Sequence, residues 1–569
     1  MYLPTTIEEL DRLGWVKPDI ILVSGDTYID SPYDGVAALG KFLLSKGFKV
    51  AVIAQPDVSN QSNLLNSVPD IARLGEPSLF WGVSAGCVDS MVANYTALNK
   101  KKRSDDLTPG NINNRRPNRA TIVYCNEIRR YFKNTKPIIL GGIEASLRRI
   151  AHYDYWSDSV RRSILFDAKA DYLVYGEGEH TILEVAEKLR DNKSLYEQKG
   201  LCYISNTPIP NYIDIPSFEE VAKDKKAFNV MFTEFYKNND PKNAKGLFQK
   251  NGERFLVQNP PNDYIEGKDL DALFDLGYEY DVHPFYKSQG KIKALETISF
   301  SIISHRGCYG ECNFCSITVH QGRKVRSRSE ESILKEAEYF TKNRNFKGII
   351  KDIGGATANM YGNVCAVQNK SGSCKNKRCV FPVLCKKMDI NHNELITVLQ
   401  KLAALPGVKK VITGSGIRYD LVVADKANGR RYLEDVIEKH LSGQMKIAPE
   451  HTDEEVLSIM GKPQVASLKQ FKEEFFRITK KYGKKQFLTY YIIAAHPGCH
   501  EKNMKNLSDY MHKELNINPE QVQVFTPTPS TYSTAMYFTG INPLTGKEVF
   551  SEKSFKKKNI QKQIVVGKK

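Results

Sequence analysis

Short apolar, β-branched runs alternate with amphipathic segments in two separate stretches of this 569-residue chain, and that alternation narrows the fold more than any other feature. In the first stretch PDIILVSGD, KVAVIAQPD, LFWGVSAG, PIILGGIEAS and DYLVYGEGE read as strands. Between them YDGVAALGKFLLSKGF, NEIRRYF and HTILEVAEKLR carry apolar residues at helical spacing. Strands that are apolar without a period of two are buried on both faces, which is the mark of a parallel sheet covered by helices. Residues 1–200 are therefore expected to form a doubly wound α/β domain. Its strand ends carry Gly25-Asp26-Thr27, Ser84-Ala85-Gly86, Gly141-Gly142 and Gly176-Glu177-Gly178-Glu179. Such sheets bind ligands beyond the carboxyl ends of their strands. A tight strand-to-helix turn also favours Gly for conformational reasons, so a crevice and plain turn chemistry are both open.

Residues 201–290 are looser and more polar, as in KNNDPKNAKG and VQNPPNDY, and read as a connector. The second alternation fills 291–540. Its strand candidates are ISFSIIS, KGIIKDIGG, KKVITGSG, QMKIAPE, FLTYYIIAAHP and QVQVFTPTP, separated by segments such as ESILKEAEYFTKN and SLKQFKEEFFRITKKYG. Six βα repeats predict a partial (β/α)6 barrel, whose functional groups belong at the carboxyl ends of the strands. A Cys-rich insertion spans 360–390, and 541–569 reads as a basic, solvated tail.

No run approaches the roughly 18 apolar residues that span a bilayer, and MYLPTTIEELDRLGW has acids where a signal peptide needs a basic start. A cytoplasmic location with no membrane partner is expected. In such a compartment thiols stay reduced, so the 11 cysteines are ligands, reactive groups or small packed residues. Three of them, Cys308, Cys312 and Cys315 in RGCYGECNFCSI, stand at the end of the first barrel strand, with Gly307 and Gly310 available for bends. A structural zinc site takes four ligands, usually in two pairs, and the local motif stops at three; His305 or His320 would have to supply a fourth. Three thiolates on a 4Fe-4S cluster instead leave one iron without a protein ligand. That iron can chelate the amino and carboxylate groups of S-adenosylmethionine, and an electron passed to the sulfonium breaks a carbon–sulfur bond to give a 5′-deoxyadenosyl radical.

The C-x3-C-x2-C spacing, with the aromatic Phe314 before its last Cys, resembles the signature of the radical SAM superfamily. The resemblance implies that Phe314 lies near the adenine and that Gly354 and Gly355, in IGGAT after the second strand, hold the methionyl amino group. The acid often found after that strand is missing. Ser415 and Arg418 in GSGIRYD and Glu450 in KIAPEH are implied contacts for the ribose and carboxylate, and AAHPG, with His496, Pro497 and Gly498, for adenine. Their alternative reading is a capping Ser and ordinary ion pairs. RGCYGECNFCSI, DIGGATANMYG, GSGIRYD, KIAPEHT, AAHPG and TPTPSTYSTAMYFTGINPL together resemble the YgiQ family of radical SAM proteins over nearly the full length. That resemblance implies a reducing electron donor such as flavodoxin or ferredoxin, and supplies no substrate. The first domain more loosely resembles the cobalamin-binding domains of some radical SAM enzymes. The Asp-x-His-x-x-Gly motif those often carry does not occur here, which ranks cobalamin behind a nucleotide-like or substrate-binding crevice.

Cys365, Cys374, Cys379 and Cys385 lie in the polar insertion CAVQNKSGSCKNKRCVFPVLC. They read either as a second metal site, an iron–sulfur cluster or a zinc, or as reactive or incidental thiols. Cys499 reads as a packed cysteine. The net charge of +17 reads first as a solvated basic surface and a disordered tail, and leaves RNA open as a substrate. The leading expectation is a radical SAM enzyme of unknown substrate. Transfer of a methyl or methylthio group, with tRNA as one acceptor, is the second reading, since PEHTDEEVLSIMGKP resembles methylthiotransferases. A noncatalytic nucleic-acid-binding protein with structural metal clusters is the third.

Overall fold

The computed structural model describes residues 1–59, 68–515, 517, 519 and 521–567. It divides into two units, one of residues 1–265 with 272–299, the other of 266–271 with 300–569.

The first unit is built on a nine-stranded sheet. Its strands are β1 (Ile20–Ser24), β2 (Val50–Ala54), β3 (Phe80–Ser84), β4 (Ile138–Leu140), β7 (Tyr172–Val174), β8 (Leu201–Ser205), β9 (Ile213–Ile215), β10 (Leu247–Asn251) and β11 (Arg254–Gln258). A separate hairpin, β5 (His152–Asp154) with β6 (Ser159–Arg161), stands beside it. The order is β2-β1-β3-β4-β7-β8-β11-β10-β9, and the first five strands are parallel. Every residue of β1 and β2 is buried, as their unbroken apolar runs require. The helix Gly35–Ser45 between them starts where the Asp34 carboxylate accepts from Val36 N–H at 3.1 Å, a charge well placed at a helix N-terminus.

The stretch read as a connector, 201–290, instead extends this sheet. β8 turns antiparallel on β7, and β10 and β11 form a hairpin. Their sequences hide this because buried Leu247 and Gln249 alternate with polar or half-exposed neighbours, and two of the inward positions are glutamines.

The second unit carries parallel strands at six positions in chain order, the second of them split in two, as the second alternation predicts. They are β12 (Ile302–Ile303), β15 and β16 (Ile349–Ile350, Ile353–Gly354), β19 (Lys410–Val411), β20 (Gln444–Glu450), β21 (Phe487–Ala494) and β22 (Val522–Val524). β12 pairs with β16, β15 with β19, and β20 with β21 and then β22, while Ile417 bridges to Ile447. Among the described residues no ladder joins β22 to β12, so the barrel is partial. Two short antiparallel pairs sit on it: β13 (His305–Arg306) with β14 (Arg326–Ser327), and β17 (Val364–Cys365) with β18 (Met388–Asp389).

Within the segment read as a basic tail, Phe555–Val566 is a helix. Lys558 is buried with its ammonium 2.8 Å from the Tyr537 hydroxyl, and the Gln561 amide accepts from Ala495 N–H at 3.0 Å and donates to the Cys499 carbonyl at 3.3 Å. A helix that packs through a lysine and a glutamine has no apolar stripe, so its sequence reads as solvated. Residues 568–569 lie outside the described residues. No described helix is long and apolar enough to cross a membrane.

Candidate active site at the carboxyl ends of the barrel strands

The loop that carries the three cysteines leaves β13 through Gly307, at φ +84°, where a Cβ would stand 2.0 Å from the Lys324 carbonyl oxygen. Only Gly fits there. Cys308 N–H donates to the Gly322 carbonyl at 3.2 Å, and Gly310 N–H points at Cys308 Sγ at 3.4 Å. A Cβ on Gly310 would lie 2.5 Å from Arg418 Nη1 and 3.2 Å from Cys308 Sγ, so this glycine admits the arginine to the thiols. Cys315 N–H closes a turn on the Cys312 carbonyl at 3.0 Å. Asn313 fixes the loop, donating through N–H to Met460 at 2.9 Å and through its amide to Ile459 at 2.7 Å.

Electrostatics make this group of thiols unlike packed cysteines. Burial pushes the Cys308 thiol up, while the Arg418 guanidinium draws it down. Burial, then the charges of Cys312 and Cys308, push Cys315 to about 12. Arg418 Nη1 donates to Cys312 Sγ at 3.8 Å.

The other sequence-derived candidates lie on neighbouring strand ends of this unit. Phe314 meets the His496 ring edge-on at 6.1 Å, so the loop aromatic and the AAHPG segment are brought together. Gly354 packs on Ala358 and Ser415, and a Cβ on Gly355 would stand 2.5 Å from the His305 carbonyl. His305, a candidate fourth ligand for zinc, is buried with Nδ1 2.9 Å from Ser304 Oγ, while its Nε2 faces Gly355. Ser415 donates through N–H at 2.9 Å, and through its hydroxyl, to Asp352. Arg418, an implied contact for the ribose and carboxylate, is already engaged: Nε and Nη2 bond Asp420, the latter at 2.6 Å. Only its Nη1 edge faces the sulfurs. Glu450 is buried, at φ +69°, where β20 bulges, and burial raises its carboxyl against the pull of Lys462, 3.9 Å away. A side chain held left-handed at a strand end costs roughly 1–3 kcal/mol and recurs at functional sites; Glu311, Ala495 and Ser530 share the feature in these loops.

Sequence reasoning did not single out Asp352, Asn359, Asp420 or Lys462. Asp352 sits inside the second strand, before the position where an acid was sought, and holds the third-strand loop through Gly414 and Ser415. Asn359 accepts from Arg418 N–H at 2.8 Å and donates to its carbonyl at 3.1 Å.

Cys499 is buried with Sγ 3.7 Å from His451 Nε2, as a packed cysteine would be. In the first unit the glycine loops at the ends of β1 and β3 close on each other. A Cβ on Gly25 would stand 2.1 Å from the Ala85 carbonyl oxygen, and the Asp26 carboxylate binds Arg116 and accepts from Cys87 N–H at 2.6 Å. Gln55 donates to the Gly25 carbonyl at 3.0 Å. Close packing accounts for the glycines at these two loops.

Residues 2–301 match the family model described as Radical SAM N-terminal, and residues 520–564 match a domain of unknown function, DUF3362. A UPF0313 protein of Fusobacterium nucleatum is 51% identical over 100% of this chain and 99% of its own length. One from Thermotoga maritima is 45% identical over 100% of this chain and 99% of its own. Among solved structures, the radical S-adenosylmethionine methyltransferase TsrM of Kitasatospora setae, with cobalamin and a 4Fe-4S cluster bound, is 13% identical, with a TM-score of 0.48 over 90% of this chain and 77% of that one. OxsB, a cobalamin-dependent S-adenosylmethionine radical enzyme, is 14% identical, with a TM-score of 0.49 over 95% of this chain and 58% of that one. By its full-length likeness to the UPF0313 proteins and its match to the Radical SAM N-terminal model, the chain belongs to the UPF0313, or YgiQ, family of radical SAM proteins.

Proposed function

We propose that the chain is a radical SAM enzyme that binds a 4Fe-4S cluster through Cys308, Cys312 and Cys315 and cleaves S-adenosylmethionine reductively, with flavodoxin or ferredoxin as the electron source. The observation that carries this reading is the convergence of three thiols, two close-approach glycines and the Arg418 guanidinium at the carboxyl end of the first strand. The donor set suits the group: Gly310 N–H reaches Cys308, the Arg418 guanidinium reaches Cys312, and apolar neighbours wall Cys308. When bound, the cluster supplies the electron that breaks a carbon–sulfur bond of S-adenosylmethionine and yields a 5′-deoxyadenosyl radical.

The chain's own residues then position the cosubstrate. Arg418, locked by Asp420 and by Asn359 on both sides of its backbone, keeps positive charge beside the thiolates and stabilises their ionised form. Ser415, with its proton on Asp352, presents hydroxyl lone pairs as acceptors for a ribose hydroxyl. Glu450, with Lys462 behind it, offers a buried carboxyl to the same end of the molecule. Phe314 and His496 supply two ring surfaces for the adenine. Burial lowers His496 to about 3, so its imidazole stays neutral and adds no charge near the sulfonium.

The test is electron paramagnetic resonance of the anaerobically reconstituted, dithionite-reduced chain. Adding S-adenosylmethionine should change the cluster signal, and Cys312→Ala should lack that response. A signal identical with and without S-adenosylmethionine would contradict binding at an open iron.

A further inference from the structure

Four thiols of the second unit have no part in this reaction: Cys365, Cys374, Cys379 and Cys385. The fold gathers three of them through the backbone. Cys365 stands opposite Met388 in the β17–β18 pair, Met388 N–H donates to the Cys385 carbonyl at 3.0 Å, and Cys385 N–H donates to the Cys379 carbonyl at 2.8 Å. Their side chains share one apolar cluster formed around Tyr309, Met360 and Met388, and Cys308 of the first thiol group packs against the same cluster. Arg323 ties in the fourth: its Nη1 donates to the Cys374 carbonyl at 3.0 Å while pairing with Glu311 at 3.2 Å. Gln368 donates to the Arg323 carbonyl at 3.3 Å and lies 3.6 Å from Cys379 Sγ.

The chemistry around these sulfurs is that of ligands. The Gln368 amide N–H is aimed at the Cys379 sulfur. A polar donor aimed at sulfur stabilises a thiolate and tunes iron–sulfur centres, whereas a cysteine that merely fills space needs none.

We propose that Cys365, Cys374, Cys379 and Cys385 bind a second iron–sulfur cluster, beside the first and fully ligated by protein. Zinc fits less well. The spacings of eight, four and five intervening residues lack the paired pattern of zinc sites. With four protein thiolates an iron–sulfur cluster has no open iron, so it does not bind S-adenosylmethionine.

The full chain, reconstituted anaerobically with iron and sulfide, tests this by metal analysis and Mössbauer spectroscopy. The native chain should hold about eight irons, and Cys308→Ala/Cys312→Ala/Cys315→Ala about four. Cys374 is exposed, so Cys374→Ser leaves the packing intact; added to the triple variant, it should lower the retained iron or change its spectrum. The proposal is overturned by four irons in the native chain with none in the triple variant, by four irons with one zinc, or by a Cys374→Ser variant whose iron count and spectrum do not change.

Discussion

Gly307 and Gly483 separate two reasons for a glycine within one unit. Both are left-handed, at φ +84° and +61°, but a Cβ on Gly483 meets nothing within 4 Å, while one on Gly307 stands 2.0 Å from the Lys324 carbonyl oxygen. Gly483→Ala therefore carries only the conformational cost, about 1 kcal/mol. Gly307→Ala adds a clash with backbone. Relieving it moves the chain by more than an ångström, at the expense of the Cys308-to-Gly322 bond and the two-residue pair of β13 with β14. At about 1 kcal/mol for each hydrogen bond lost, the total reaches about 3 kcal/mol. Thermal unfolding of the metal-free chain, followed by circular dichroism under reducing conditions, measures both. At roughly 2–4 °C per kcal/mol for a domain of 150–250 residues, Gly307→Ala should lower the midpoint by about 6–12 °C and Gly483→Ala by about 2–4 °C. Equal shifts would refute the claim that the thiol loop requires Gly307 for space as well as conformation.

Three further outcomes follow from buried polar groups. Asp420→Asn leaves the Arg418 guanidinium buried without its counter-charge; urea unfolding should show a loss of about 3–5 kcal/mol. Burial lowers His451 to about 4 and His496 to about 3, so the folded chain binds fewer protons than the unfolded one below their ordinary value of 6.5. Stability should then be full above pH 6.5 and fall as pH drops toward 3, which a pH series of urea midpoints reads; midpoints flat from pH 7 to 5 in the native chain would contradict it. Gln561→Ala removes the acceptor for Ala495 N–H and should lower stability by about 1–3 kcal/mol, measured by urea unfolding.

The elements that were legible from sequence are those whose own residues carry the signal. β1, β2 and the six barrel strands are apolar runs, and an apolar run declares itself wherever it pairs. The hairpin of β10 and β11 places glutamines at buried positions, and Phe555–Val566 packs through Lys558 and Gln561; both depend on partners far along the chain, which local pattern does not show. The site divides the same way. Cys308, Cys312 and Cys315 are marked by spacing within eight residues. Asp352 takes its role from Ser415, 63 residues away, and Asn359 from Arg418, 59 away. Arg418 was visible as a charge, but its neighbour Asp420 turns two of its donors from a ligand to the protein, a choice that rests on side-chain direction.

The central claim is the reductive cleavage of S-adenosylmethionine at the three-cysteine site. The most direct measurement is 5′-deoxyadenosine released by the anaerobically reconstituted chain with dithionite and S-adenosylmethionine, beside Cys312→Ala. Deoxyadenosine from the native chain, dependent on the reductant and lost in Cys312→Ala, is the predicted result. None from a native chain whose cluster is intact and reducible, or equal amounts from both proteins, would contradict the account.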